Sequence, residues 1–234
     1  MLEPLIFNIN NITDEYENWY ISSILRYFID KILKLISELK VEFNCKVMDT
    51  DEGQKSCSMR KKLNAIEVVL VTGANLMNKD CGKRENEFTS KDLVRDYIMI
   101  IDKMKNENNG SYAFLGKSKY YNFSKFKRFE EDNKTVNACV LGVRKAFMWF
   151  SMNSLEIEDD LDLHYIWILS KLIEDSQVGE IYKLINEFYI YIYGYVNVVG
   201  DLQHIYNLVF ENLGISDYDL DYIQIEHIKN LILE

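Results

Sequence analysis

The chain has 234 residues and a formal net charge of −10. This excess of carboxylates argues against a protein that coats DNA non-specifically, because such proteins draw their affinity from surplus lysine and arginine. With one proline and ten glycines, the composition favours a helical chain over a turn-rich barrel or sandwich. We therefore expect an all-α fold in which residues 1–234 form a single helical domain.

The four cysteines lie at positions 45, 57, 81 and 139 and show no CxxC spacing. This scatter favours reduced thiols in an intracellular protein, although an even number of cysteines leaves disulfide bonds open. The chain shows no apolar leader with a small-residue cleavage site, and no apolar run reaches about 18 residues without polar breaks. We therefore expect no membrane span and a cytoplasmic protein, with the nucleus as the alternative compartment.

Apolar residues at four-three spacing predict amphipathic helices in both halves of the chain. The stretch Cys45–Met59 has no such period and is expected to be an exposed loop. A second expected loop, Glu156–Asp162, is acidic. The predicted helices cover Asp14–Lys40, Arg60–Asn78, Lys91–Lys105, Lys134–Asn153, Leu163–Asp175 and Asp217–Leu233.

The longest run of large apolar and aromatic side chains is Val178–Leu213. Its middle, Ile190–Val199, is rich in tyrosine and β-branched residues and on its own is typical of a strand. The run is too long for a strand, which rarely passes about ten residues, so we predict a helix, a bend near Gly200 and a second helix. Because the run is apolar nearly all round, we expect it to supply the central, buried helix of a bundle of about seven or eight helices.

One segment, Lys117–Phe129, is both strongly basic and strongly aromatic. Binding of a single nucleic-acid strand needs cations that displace counterions from the backbone and ring faces on which bases stack. The alternative is an amphipathic helix whose aromatic rings enter the core while its lysines face water. The predicted nucleic-acid-binding residues are Lys117, Lys119, Tyr120, Tyr121, Lys125, Lys127 and Arg128.

Two carboxylates, Asp92 and Asp96, lie four residues apart on a predicted helix, with Asp102 further along it. Oxygen ligands on one helix face suit Mg²⁺, so Asp92 and Asp96 are the predicted metal ligands if the chain is a nuclease. Otherwise they are ordinary acidic residues on a solvated face, and no cofactor is expected. The histidines have no metal-binding spacing, and no GxGxxG, GxxxxGK or GxSxG motif occurs, so no catalytic residue is predicted.

Several short motifs follow one another along the chain. They are Asp14-Glu15-Tyr16-Glu17 leading into a helix with Asp30-Lys31, Leu141-Gly142-Val143 opening a later helix, Asn153-Ser154-Leu155 ending it, and GYVNVVGDLQHIYNLVF from Gly194. In this order they resemble the translin family, which comprises translin and translin-associated factor X.

The resemblance implies an all-α bundle that assembles into a hollow oligomer, alone or with a paralogous subunit, and binds single-stranded RNA or DNA. In the factor X branch it also implies a Mg²⁺-dependent endoribonuclease that uses carboxylates. This chain departs from that branch, because Asp96-Tyr97-Ile98-Met99 stands for its Glu-Tyr-x-Glu pattern and Ala146 stands where an acidic residue is expected. The resemblance therefore implies a non-catalytic, translin-like protein, with binding shifted to Lys117–Arg128 because only Arg95 remains of translin's basic third helix.

Three functions remain open on the sequence. The first is an oligomeric, single-stranded RNA- or DNA-binding helical protein without nuclease activity of its own. The second is a helical protein-interaction adaptor of a viral or parasite type, because long amphipathic helices around an apolar one also describe such modules. The third is a divergent Mg²⁺-dependent endoribonuclease subunit that uses Asp92, Asp96 and Asp102.

Overall fold

The structure is a computed structural model that describes residues 20–43, 45, 50–82, 86–106, 109–114, 117–132, 137–193 and 202–233. These residues are mostly helical, so the predicted all-α class is confirmed, with nine α-helices in the described part against the seven or eight expected. Among the described residues, no helix combines the length and the apolar character that a membrane span requires.

In the described residues, one pair of strands interrupts the series of helices. The strands β1 (Gly110–Phe114) and β2 (Lys117–Tyr121) form one antiparallel ladder, in which Gly110 lies opposite Tyr121 and Phe114 opposite Lys117. The helices are α1 (Ser22–Glu42), α2 (Asp51–Asp80), α3 (Lys91–Lys105), α4 (Ser124–Asp132), α5 (Ala138–Met152), α6 (Asp160–Asp175), α7 (Gly179–Tyr193), α8 (Leu202–Leu213) and α9 (Tyr222–Leu233).

The chain divides into two compact units, each assembled from two separate stretches of sequence. The first unit comprises residues 1–29 and 67–153, and the second comprises residues 30–66 and 154–234. Helices α1 and α2 therefore each contribute one end to either unit. The expected single domain of residues 1–234 stays a prediction.

In the first unit, α2 and α5 pack closely because glycines remove side chains where the helices approach. A Cβ atom at Gly142 of α5 would lie 2.9 Å from the backbone oxygen of Met77 and 2.8 Å from the Cβ atom of Asp80 in α2. The indole Nε1 of the fully buried Trp149 donates to the backbone oxygen of Val69 at 2.9 Å. This contact fixes the rotation of α5 against α2.

Buried polar side chains of α2 hold the connection to α3. The carboxylate of Glu67 accepts from the backbone N–H of Thr89 at 2.7 Å and from its hydroxyl at 2.9 Å. Asn75 exchanges hydrogen bonds with the backbone of Asn86 at 2.6 and 3.1 Å. Since a buried polar group costs stability unless it is paired, these bonds define where residues 86–89 lie and hence where α3 begins.

In the second unit, α6 takes the central place that the sequence predicts for the run Val178–Leu213. Ten of its 16 residues are buried, and the indole of Trp167 donates to the backbone oxygen of Asp217 at 2.8 Å. In α7, Ile185 and Phe188 are buried while Leu184 is 41% exposed. The helix-and-helix prediction is confirmed by α7 and α8. The expectation of a helix buried nearly all round is wrong for the part of α7 whose side chains are described, and the bend near Gly200 lies outside the described residues.

The predicted loop Cys45–Met59 is wrong over most of its length, because α2 begins at Asp51. The hydroxyl of Thr50 accepts from the backbone N–H of Gly53 at 3.1 Å. Asp51 and Glu52 occupy the first turn, where negative charge is stabilised by the helix dipole. The first turns of α2 face mostly solvent, so they carry no apolar period that would indicate a helix.

The four cysteines are paired, which corrects the expectation of reduced thiols. Cys45 bonds to Cys57 in the second unit, and Cys81, directly after α2, bonds to Cys139 at the start of α5 in the first unit. Neither pair has a spacing that indicates a disulfide, since the two sulfur atoms are brought together only when the helices fold.

Candidate nucleic-acid interface

The basic and aromatic segment Lys117–Phe129 is divided between β2 and α4 rather than forming one helix. The β-hairpin was not predicted from the sequence. The hairpin determines which aromatic side chains of the segment are buried, because successive side chains of a strand point to opposite faces. Tyr121 therefore enters the core, whereas its neighbour Tyr120 points away from it and is 68% exposed.

Tyr121 is not available to stack on a base. It is 1% exposed, and its hydroxyl donates to the Oδ1 atom of the buried Asn153 at 2.9 Å. Its ring stacks on Phe123 with the ring centroids 5.5 Å apart and on Trp149 with the centroids 6.2 Å apart. For Tyr121, Phe123 and Phe126, all of which are buried, the alternative interpretation as core residues is the correct one.

The basic side chains of the segment whose burial is described lie at the surface of the first unit. Lys125, Lys127 and Arg128 are exposed on α4, and Lys119 is partly exposed on β2. Lys117 begins β2. Three of the seven predicted binding residues, Lys125, Lys127 and Arg128, therefore lie within four consecutive positions of α4, and Tyr120 lies on the strand that precedes this helix.

Beside α4 lies a cleft of about 510 Å³ formed by α2, α3, α4 and α5. Its buried wall includes Met104 and Phe126. Three exposed lysines from three different helices also line the cleft, and we call these three residues the lysine rim. Only one of them belongs to the predicted site. The lysine rim consists of Lys79, Lys105 and Lys127.

A buried ion-pair cluster occupies the α5 side of the cleft. Lys145 is 8% exposed, and its Nζ atom lies 2.8 Å from Asp80 and 2.5 Å from Glu130. Burial acts to lower the pKa of Lys145, but the hydrogen bonds and charges of Asp80 and Glu130 outweigh it and raise that pKa. Lys145 therefore stays charged and holds both carboxylates of the cleft lining.

The lining has four lysines and two carboxylates, so it carries an excess of positive charge in a chain of net charge −10. Three of these lysines were missed by the sequence analysis, because Lys79, Lys105 and Lys145 lie in three separate segments. No local spacing could have indicated them. They meet only because α2, α3 and α5 line the same cleft.

The two predicted metal ligands, Asp92 and Asp96, lie on α3. Asp92 is exposed in the first turn, and Asp96 is partly buried one turn later. The carboxylate of Asp102 accepts a hydrogen bond from Asn106 at 2.9 Å. Within the described ranges, no three His, Cys, Asp or Glu side chains come together as ligands for a metal ion.

Comparison with known proteins leaves this chain without an identified relative. No protein-family model matches it, and no curated protein and no solved structure is significantly similar to it. Two of the motifs that resemble translin, Asp14–Glu17 and the start of the run at Gly194, lie outside the described residues. Its function is therefore inferred from its own residues.

Proposed function

We propose that this chain binds single-stranded RNA or DNA through α4 and the strand before it, without nuclease activity of its own. The observation that carries the proposal is the exposure of Lys125, Lys127 and Arg128 on one short helix directly after the exposed ring of Tyr120. The expected partners are the nucleic-acid strand and further copies of this chain or a paralogous subunit.

Electrostatics supports α4 as the contact surface. In a chain of net charge −10, a nucleic-acid strand is repelled by most of the surface and can approach only a local positive patch. Lys125, Lys127 and Arg128 form such a patch, and the lysine rim extends it onto α2 and α3. Neutralising phosphates releases counterions, so the affinity should fall steeply with salt.

The exposed ring of Tyr120 supplies the second requirement of a single-strand site. Stacking of a base on an aromatic side chain contributes roughly 1–3 kcal/mol and tolerates every base. Tyr120 meets this requirement because its ring lies outside the core.

The lack of nuclease activity is proposed from the residues of α3. Two-oxygen clamping of Mg²⁺ needs carboxylates at suitable spacing, and Met99 stands where the factor X pattern would place the second one. Cleavage of RNA by the purified chain in Mg²⁺ that is lost in Asp96→Asn would overturn this part of the proposal.

The test is fluorescence anisotropy of a labelled single-stranded RNA and DNA titrated with the protein at several salt concentrations. For Lys125→Ser/Lys127→Ser/Arg128→Ser, the slope of log affinity against log salt should flatten by about two, since each phosphate neutralised contributes about −0.7. The matched control is Lys34→Ser/Lys55→Ser/Lys183→Ser, which removes the same charge from exposed positions on other helices.

The control variant should keep the wild-type slope, because its lysines lie outside α4. An equal loss in both variants would show that only net charge matters and would remove α4 as the site. No binding of either strand at low salt would overturn the proposed function.

A second function, as a helical protein-interaction adaptor, is favoured by the outer face of α3. Val94, Ile98 and Met99 are 38%, 59% and 41% exposed, and the first two are four residues apart and so share one face. An apolar stripe of this kind is typical of a surface that another helix covers.

Light scattering of Ile98→Glu and wild type separates the two functions. If copies of this chain cover the stripe, the wild type should be larger than a dimer and Ile98→Glu smaller. A monomeric wild type that also fails to bind RNA would leave the adaptor function in place of the proposed one.

A further inference from the structure

We infer that the cleft between α2, α3, α4 and α5 binds one nucleoside phosphate, with its phosphate at the lysine rim and its base against the apolar wall. The ligand is a free mononucleotide or the terminal nucleotide of a strand, which share this chemistry. The strand-end case rests on the proposed function, whereas the free-nucleotide case does not.

The size of the cleft suits one nucleotide. Small-molecule sites in proteins measure roughly 300–1,000 Å³, and this cleft, at about 510 Å³, lies well within that range. A folded partner or a double helix could not enter it. A single planar base with its sugar and phosphate is a ligand of the size class that such clefts bind.

The wall of the cleft has the character of a base-binding surface. Phe126 is 5% exposed and Met104 is 8% exposed, and both line the cleft together with Leu76, Tyr97 and Ile101. Aromatic and polarisable side chains of this kind bind planar rings favourably. An apolar wall would add nothing for inorganic phosphate, so the site favours an anion attached to a ring.

The rim supplies the charge that a phosphate needs. Lys79, Lys105 and Lys127 come from three helices and line the same cleft. Ammonium groups are strong phosphate donors, and their attraction increases in a cleft that is partly shielded from water. The same three residues on a flat surface would be screened by salt and would not define a site.

The ion-pair cluster at Lys145 removes the repulsion that the two carboxylates would exert on a phosphate. Asp80 and Glu130 both bind the Nζ atom of Lys145, so their charge is directed to a buried ammonium. These bonds use two of the three N–H donors that a lysine carries.

The test is isothermal titration calorimetry of the full chain with adenosine 5′-monophosphate, uridine 5′-monophosphate, adenosine and inorganic phosphate. Each monophosphate should bind at least tenfold more tightly than adenosine or inorganic phosphate. Adenosine lacks the phosphate that contacts the lysine rim, and inorganic phosphate lacks the base that contacts the apolar wall. Failure of both monophosphates to bind at millimolar concentration would overturn the inference.

Two variants locate the site. Lys105→Ser removes a rim lysine that lies outside α4 and should weaken monophosphate binding about tenfold, whereas Lys34→Ser on α1 should leave it unchanged. Ile101→Trp fills the cleft from α3 and should abolish binding while the circular-dichroism melting curve stays cooperative. Full monophosphate affinity in both cleft variants would overturn the inference.

The source of the nucleotide is distinguished with two otherwise identical oligonucleotides, one with a 5′-phosphate and one with a 5′-hydroxyl. Tighter binding of the phosphorylated strand, lost in Lys105→Ser, would identify a strand end as the ligand. Equal binding of both strands together with monophosphate binding would identify a free nucleotide. Strand binding that depends on Lys125 and Arg128 without monophosphate binding would refute the cleft site alone, and monophosphate binding without strand binding would refute the proposed function alone.

Discussion

Tyr120 and Tyr121 are neighbours with opposite environments, and this contrast is the most direct residue-scale test of the proposed interface. The phenol of Tyr121 is buried and hydrogen-bonded to Asn153, while the ring of Tyr120 is open to solvent. A stacking role and a core role therefore predict different losses at adjacent positions.

Tyr121→Phe should lower the free energy of unfolding by about 1–3 kcal/mol, because it leaves the buried Oδ1 atom of Asn153 without its donor. Tyr120→Ala should change stability by less than about 0.5 kcal/mol and weaken strand binding by roughly 1–3 kcal/mol. Urea denaturation and anisotropy of the same two variants measure both effects. A stability loss in Tyr120→Ala with unchanged binding would contradict the assignment.

His164 in the second unit gives a prediction for pH. The Nζ atom of Lys62 lies 3.4 Å from its Nδ1 atom and 3.4 Å from a carboxylate oxygen of Asp219. Because an ammonium can only donate, the imidazole must accept at Nδ1, and a proton there would face a positive charge. Burial first, and then the charge of Lys62, lower the pKa of His164 from 6.5.

A lowered pKa in the folded state means that the unfolded chain takes up the proton more readily. The stability associated with the neutral ring is therefore fully present above pH 6.5 and is lost as the pH falls below that value toward the folded-state pKa. His164→Gln should flatten the decline of the urea midpoint between about pH 7 and 5. An identical pH profile in His164→Gln and wild type would contradict this account.

At the scale of elements, amphipathicity decides which predictions succeed. Helix α3 has the predicted bounds Lys91–Lys105, since its buried residues Leu93, Ile100 and Met104 follow the helical period. The first turns of α2 and the β-hairpin were missed for opposite reasons. The first turns of α2 have almost no buried face and therefore show no apolar period. The β-hairpin depends on the pairing of Tyr121 with Gly110 across its two strands, and the apolar period of a single segment does not indicate such a pairing.

Gly142 is the element-scale position where a single methyl group should have a large effect. Gly142→Ala would place its Cβ atom 2.9 Å from the backbone oxygen of Met77, and backbone atoms cannot move aside as a flexible side chain can. Overpacking of this kind costs about 1–3 kcal/mol, even though alanine is the better helix former. Urea denaturation should show that loss, and a stabilised variant would show that α2 and α5 do not approach so closely.

At the scale of the molecule, the sequence predicts the class of fold better than the site. The four-three pattern is local, so the all-α class follows from it. The cleft instead joins Lys79, Lys105, Lys127 and Lys145 from four helices, and only Lys127 stands in a segment whose composition draws notice. The pairing of the cysteines is a long-range property for the same reason.

The two disulfides should make stability depend on redox conditions. In the chain-entropy account, the bonds between residues 12 and 58 positions apart contribute about 3 and about 4 kcal/mol, respectively. Cys81→Ser/Cys139→Ser should therefore lower the free energy of unfolding by about 2–4 kcal/mol, and a reducing agent should destabilise the wild type but affect this variant less. A thiol assay of the denatured, unreduced protein that finds four reactive groups would contradict the pairing.

This redox dependence bears on the expected cytoplasmic location. Cytosolic thiols are kept reduced, whereas disulfides persist in oxidising compartments. In a cytoplasmic protein these cysteines would form two adjacent thiol pairs rather than bonds. The fraction of each pair that is oxidised in cells therefore reports the compartment directly.

Because each of the two units is built from two separate stretches of sequence, truncated fragments of the chain cannot contain one complete unit alone. Each unit takes one stretch from early in the chain and one from later, divided at residues 29 and 30, 66 and 67, and 153 and 154. A fragment that stops at Asn153 would contain residues 30–66 but none of the residues 154–234 that complete their unit. Deletion mapping would therefore expose core in every fragment, and activities of this protein can be assigned to one unit only by point substitution in the intact chain.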